Sequence, residues 1–317
     1  MNMAWIKSFG RGAAIAWFAM IGSSFWLRAQ QNPPAGAVKV EMNNVNYHFQ
    51  ESITVHIARL SGALIPAQQG KPPVFDDKRS FTLAIDSAEI AITQENLTNL
   101  LNDYVFAEKD SPLKKIKAEF QGSQISITGT LHKGVDIAFE TLGTIEAKEG
   151  LIRIHPKKIK AAHVPAKGLM ELFGVEVADL LNTKNTRGVR VQDDDFILYP
   201  DKILPPPRIA ARLSSVAIQG KQLVQKFGSQ MKPTAPAFSG NYMAYRGNVL
   251  RFGKLTMDDA DLVLIDQDPR DPFDFALDHY KEQLTAGYSK TIASGGLRTY
   301  MPDFNKLRKP AAKGKTH

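Results

Sequence analysis

The spacing of apolar residues changes at Thr93, and that change constrains the middle of the chain more than any other feature. Ala88, Ile90 and Ile92 alternate with their neighbours, as the residues of a half-buried strand do. From Leu97 onward, Leu97, Leu100, Leu101, Tyr104 and Val105 follow the i, i+3, i+4, i+7, i+8 spacing of one helix face. Thr93 is placed to cap that helix, and Glu95 falls in its first turn, where the helix dipole favours a negative charge. The pattern predicts a helix of about 14 residues, roughly 21 Å long. Its apolar stripe must be covered, and the flanking segments are nearly all strand-like, so the expectation is a sheet wrapped along a helix.

Upstream, Val38, Val40 and Met42, then Val45, Tyr47 and Phe49, then Ile53, Val55 and Ile57 read as extended strands. The parity of their apolar positions slips at Asn43-Asn44, which predicts a turn or bulge. Gly70, Pro72 and Pro73 make 66–78 a surface loop. After Ser111-Pro112, four or five antiparallel strands follow through Ile116, Ile125, Val135 and Ile152. A second helix is predicted over 165–182, with Leu169, Leu172, Phe173, Leu180 and Leu181 on one face and Met170 and Val175 widening it. Asp271-Pro272 should open a third, carrying Phe273, Leu277, Tyr280, Leu284 and Tyr288. The predicted organisation is a signal peptide or anchor at 1–29, an α+β domain at 38–228, a linker at 229–243, C-terminal strands and a helix at 244–304, and a basic tail at 305–317. The fold class is α+β, a long, strongly curved antiparallel sheet around amphipathic helices.

At 317 residues, 43% apolar and 23% charged, the chain can bury a substantial core. Lys7 and Arg11 precede an uncharged run at 12–27, the layout of a secretory signal. Export to the periplasm or cell envelope is therefore expected, with cleavage near Ala29. An uncleaved membrane anchor is the alternative, although about 16 residues is short for a spanning helix. The absence of cysteine removes disulfides and thiolate metal sites. A net charge of +8 suits an anionic lipid surface as well as nucleic acid, and the export signal turns the reading towards lipid and away from nucleic acid.

No constellation of reactive residues stands out. The seven histidines are scattered without a His-Glu-x-x-His, and neither a Gly-x-Ser-x-Gly elbow nor a phosphate-binding glycine loop occurs. No catalytic residue, metal or cofactor is expected, and the chain is read as non-enzymatic. Asp266, Asp268, Asp271 and Asp274 lack the spacing of a calcium loop and read as a helix cap with solvated charges.

Between Phe81 and Phe227, the strand into Ile92-Thr-Gln-Glu-Asn-Leu-Thr-Asn-Leu-Leu101, the hairpin through Ile125-Ser-Ile-Thr-Gly-Thr-Leu131 and Gly150-Leu-Ile-Arg-Ile-His-Pro156 occur in a particular order. The helix through Leu172 to Leu181, Gly188-Val-Arg-Val and Val216-Ala-Ile-Gln-Gly220 follow. In that order and spacing the chain resembles the bacterial LmeA-type branch of the tubular lipid-binding (TULIP-like) proteins. The resemblance implies a long bent sheet around a helix, with a lipid-accessible groove. Leu97, Leu100, Leu101, Leu169, Leu172, Phe173, Leu180 and Leu181 would line that groove, or else fill a dry core. Lys114, Lys115, Lys117, Lys157, Lys158 and Lys160 would meet phospholipid head groups at its rim, or else guard strand edges against aggregation. The function expected is a cell-envelope protein binding the acyl chains of a phospholipid or other amphiphile, near a membrane surface, for lipid transfer or envelope maintenance. The alternative is an envelope structural or assembly protein that binds a protein partner through a sheet edge, and an exported enzyme stands third.

Overall fold

The computed structural model describes residues 34–161, 187–192, 194–228 and 237–307. The N-terminal segment at 1–29, the second predicted helix at 165–182 and most of the basic tail lie outside these residues.

The fold is α+β and dominated by large, mainly antiparallel sheets. Strands β1 (Val38–Gln50), β2 (Ile53–Pro66) and β3 (Phe81–Thr93) form a meander that begins the first sheet. Four consecutive antiparallel strands make the second: β4 (Leu113–Gln121), β5 (Gln124–Lys133), β6 (Val135–Lys148) and β7 (Leu151–Ala161). The hairpin of β8 (Val189–Gln192) and β9 (Asp195–Leu198) adds to it beside β7. The chain then passes through a short helical turn at Pro200–Ile203 and returns to the first sheet. There β10 (Arg208–Ala210) runs parallel to β3, and β11 (Leu213–Gln219) and β12 (Gln222–Gly228) extend it beyond β3.

The C-terminal strands, expected beyond a linker at 229–243, join the opposite side of the same sheet. Those that join it are β13 (Tyr242–Arg246), β16 (Asp261–Asp266), β17 (Phe273–Ala276), β18 (Tyr288–Thr291) and β19 (Leu297–Met301), whereas β14 (Leu250–Phe252) and β15 (Leu255–Met257) pair with each other as a separate small hairpin. Among the described residues the first sheet has eleven strands, with the main order β11-β12-β3-β2-β1-β13-β16-β19-β18, and the second has six. The sheet material is thus divided between two large sheets and the small β14–β15 hairpin instead of forming one long sheet. Residues of both contribute to a common apolar core.

The parity slip at Asn43-Asn44 is real but does not end the strand. Asn44 takes a positive φ of 54° inside β1, so Met42 and Val45 both face the core. The neighbour of β1 changes at that point. Lys39 to Asn43 pair antiparallel with β13, whereas Val45 to His48 pair parallel with β17. The side chains of Asn43 and Asn44 hold the junction by donating to the Gly240 carbonyl and the Asn241 Oδ1, at 2.8 and 2.7 Å.

Two expectations require correction. Phe273 to Ala276 form strand β17, not the first turn of a helix; all four residues are buried beside β1, and the helix begins only near Tyr280. The acidic residues there are accordingly not all solvated. Asp274 is bonded to His48 at 2.6 Å and accepts from the Asn305 N–H, and Asp266 accepts from Asn241, with burial pushing its carboxyl pKa up. Likewise, 66–78 is more than a surface loop. Phe75 is 3% exposed and sits edge-on among Tyr245, Phe252, Phe275 and Tyr280, where its ring burial outweighs the loop composition around it.

Candidate functional site

The residues that change period at Thr93 build the site. Thr93 accepts from the Asn96 N–H at 3.1 Å, capping α1 (Gln94–Leu100), which continues as a wider π turn over Leu101–Val105. Leu97, Leu100, Leu101 and Val105 are buried, as the stripe predicts.

The polar flanks of α1 are not simply solvated. On one side the Asn96 Oδ1 accepts from the Thr54 N–H at 3.0 Å, and Asn99 donates to the Ser52 carbonyl at 2.8 Å, both at the start of β2. On the other side Asn102 both accepts from the Ile116 N–H, at 2.9 Å, and donates to its carbonyl, at 2.7 Å. Thr98 accepts from the Ala118 N–H at 3.0 Å. The helix therefore substitutes for a neighbouring strand along β4 and joins the two sheets. At the far side of the first sheet, β11 packs against β6 and β7. Asn102→Ala leaves both Ile116 backbone groups without their partner and should cost about 2 kcal/mol, readable as a lower urea midpoint at unchanged slope.

Between α1 and the sheets lies an apolar cavity of about 100 Å³. Leu97, Leu100 and Leu101 form its helical wall, Val55, Ile90 and Ile92 its wall in the first sheet, and Ile125, Ile127, Ile152 and Ile154 its wall in the second. Among the described residues only Thr141 and Gln225 bring a polar side chain to it. Thr141 is 4% exposed, and its hydroxyl has no hydrogen-bond partner, an unusual state for a buried polar group. A second apolar cavity of about 40 Å³ shares Val55, Ile85, Ile90, Leu204 and Ile209 with the first, so the two lie side by side along common walls. Tyr47 and Tyr245 line this second part, and burial pushes both phenol pKa values up, which keeps the wall uncharged.

The size limits the occupant. A dry cavity of about 150 Å³ admits a benzene-sized molecule, so the closed space holds a short stretch of hydrocarbon and a longer chain needs the walls to part. Ile127, Ile145, Phe196, Leu204 and Gln225 are the half-buried members of the lining among the described residues.

Of the predicted lipid-contacting residues, Leu97, Leu100 and Leu101 meet in this cavity. Leu169, Leu172, Phe173, Leu180 and Leu181 lie outside the described residues. The predicted head-group lysines are elsewhere. Lys114, Lys115, Lys117, Lys157, Lys158 and Lys160 are all exposed, and none lines either cavity. The strand pleat is the reason: in β4 it sends Ile116 and Ala118 inward and Lys117 outward. Lys117 and Lys160 share one register row, through Thr128 and Glu140, and are bonded to Glu119 and Glu140 at 2.6 and 3.2 Å. Sequence reading missed Thr141, Gln225, Val55 and Ile209 as wall residues; their alternation marks them as inward-facing, but not which cavity they meet.

Comparison of the chain with known protein families, with curated protein sequences and with solved structures gave no match.

Proposed function

We propose that this is an exported cell-envelope protein that holds the acyl chain of a phospholipid or similar amphiphile between its two sheets. The observation that carries the proposal is the apolar cavity bounded by both sheets and α1, with an unpartnered Thr141 hydroxyl in its wall and a second apolar cavity beside it. A packed core would close over such space, whereas a ligand site needs apolar walls and few polar groups. The burial of α1 against strands of both sheets is in keeping with a tubular lipid-binding arrangement. In this reading the protein carries or stores lipid and performs no chemistry on it. Mass spectrometry of an organic extract of the purified protein tests the proposal. An acyl-bearing species near one per chain, acquired in the cell or from added vesicles, is the expected result, and a protein that takes up none contradicts it.

One observation favours a second reading, a protein partner bound at a sheet edge. Strand β18 closes the main strand order of the first sheet, all four of its residues are exposed, and Tyr288 is stacked on Tyr300 at 4.7 Å.

A further inference from the structure

A cleft of about 760 Å³ adjoins the apolar cavities and differs from them in charge. Leu204 lines all three spaces, Val189 is shared with the larger cavity and Phe81 with the smaller. The charged part of the wall is basic: among the described residues Lys78, Arg79, Arg187, Arg190, Lys202 and Arg208 line it with a single carboxylate, Asp201. Arg190, Lys78 and Arg187 are already engaged. Lys78 is paired with Asp278 at 2.6 Å, and Arg187 with Glu108 at 2.6 Å while lying over the Tyr104 ring. Lys202 lies over the Tyr199 ring at 4.9 Å, and among the described residues Arg79, Lys202 and Arg208 have no acidic partner. Clustering like charges is unfavourable without a counter-ion, and arginine forks match phosphate oxygens.

We infer that this cleft receives the phosphate-bearing head group of the amphiphile whose acyl chain occupies the neighbouring cavity. The inference rests on the lipid-binding reading and names its ligand class. It also moves the head-group contact from the outer lysines of the second sheet to arginines contributed by β10, by the segment before β3 and by the β8 region. Exposed Arg79 and Arg208 are the residues to change, since neither is in the apolar wall.

The test uses two single-chain lipids with the same acyl group, lysophosphatidic acid and a monoacylglycerol, which differ only in the phosphate. Affinities are measured on the whole protein and on Arg79→Ser/Arg208→Ser, with a thermal melt confirming that the variant folds. The expected result is a preference of about tenfold for the phosphorylated lipid, lost in the double variant, with monoacylglycerol binding unchanged. Equal affinity for the two lipids, or a preference that survives the double substitution, overturns the head-group inference and leaves the cavity reading intact. Failure to bind either lipid overturns both. Inorganic phosphate that binds as tightly as lysophosphatidic acid assigns the cleft to free phosphate and also overturns the inference.

Discussion

Ile127→Trp is expected to weaken acyl-chain binding by about tenfold or more, a loss of about 1.4 kcal/mol. Ile127 is half-buried in β5, lines the larger cavity and lies directly across the strand pair from Thr141. The indole fills space that a chain would occupy, and its N–H can donate to the unpartnered Thr141 hydroxyl. Any overpacking cost should stay near about 1 kcal/mol, so the melting temperature moves by only a few degrees. Ile127→Ala completes the comparison: it enlarges the cavity, lowers stability by about 2 kcal/mol and leaves binding intact or stronger. Opposite effects on binding and on stability are the signature of a ligand cavity. In a dry core both variants lose stability and neither changes any binding. Urea melts alongside lipid titrations read both quantities.

Gly228→Ala should be the most damaging single added methyl among the described glycines. Gly228 closes β12 at a positive φ of 71°, opposite Ser87 of β3, and a Cβ there would lie 1.8 Å from the Asp86 carbonyl oxygen. The obstacle is backbone, so no side-chain rotation relieves it. The left-handed conformation costs about 1–2 kcal/mol for a residue with a Cβ, and displacing the strand pairing brings the expected total to about 3–4 kcal/mol. Calorimetry should show a fall of several degrees. Gly220→Ala is the control, since it has a similar positive φ of 61° but no atom within contact distance of the added methyl. Equal losses at the two positions would mean that conformation alone, not the β12–β3 contact, sets the cost.

The parts of the fold written in periodicity were legible. The switch at Thr93 marked the β3-to-α1 junction, its cap and its buried stripe, and alternation marked β4 to β7. Periodicity is silent about partners far away in sequence. Nothing in Val38 to Gln50 announces that its outer neighbour is β13 before Asn44 and β17 after it. Phe273, Leu277 and Tyr280 fit a helical spacing even though the first of them belongs to a strand, because a strand leading directly into a helix presents both periods within a few residues. Phe75 was hidden by the prolines and glycine of its loop.

The candidate site divides in the same way. Its leucines were found because a helical stripe must be buried. Asn96, Thr98, Asn99 and Asn102 were not, because a polar helix flank has the same sequence whether it meets water or the edge of a strand. The basic cleft escaped notice since its cations are dispersed along the chain, at 78–79, 187–190, 202 and 208, and only folding collects them. The lysine triplets that drew attention instead are adjacent in sequence and face outward.

The most direct measurement is photocrosslinking with a phospholipid that carries a diazirine near the end of its acyl chain, followed by peptide mapping. Labels are predicted on the cavity walls, at Ile90 and Ile92, Leu97, Leu100 and Leu101, Ile125 and Ile127, and Ile152 and Ile154, and they should fall sharply in Ile127→Trp. Labels confined to exposed positions such as Tyr288 of β18 or Val135, or the absence of any label above that of an unfolded control, would contradict acyl-chain binding between the sheets.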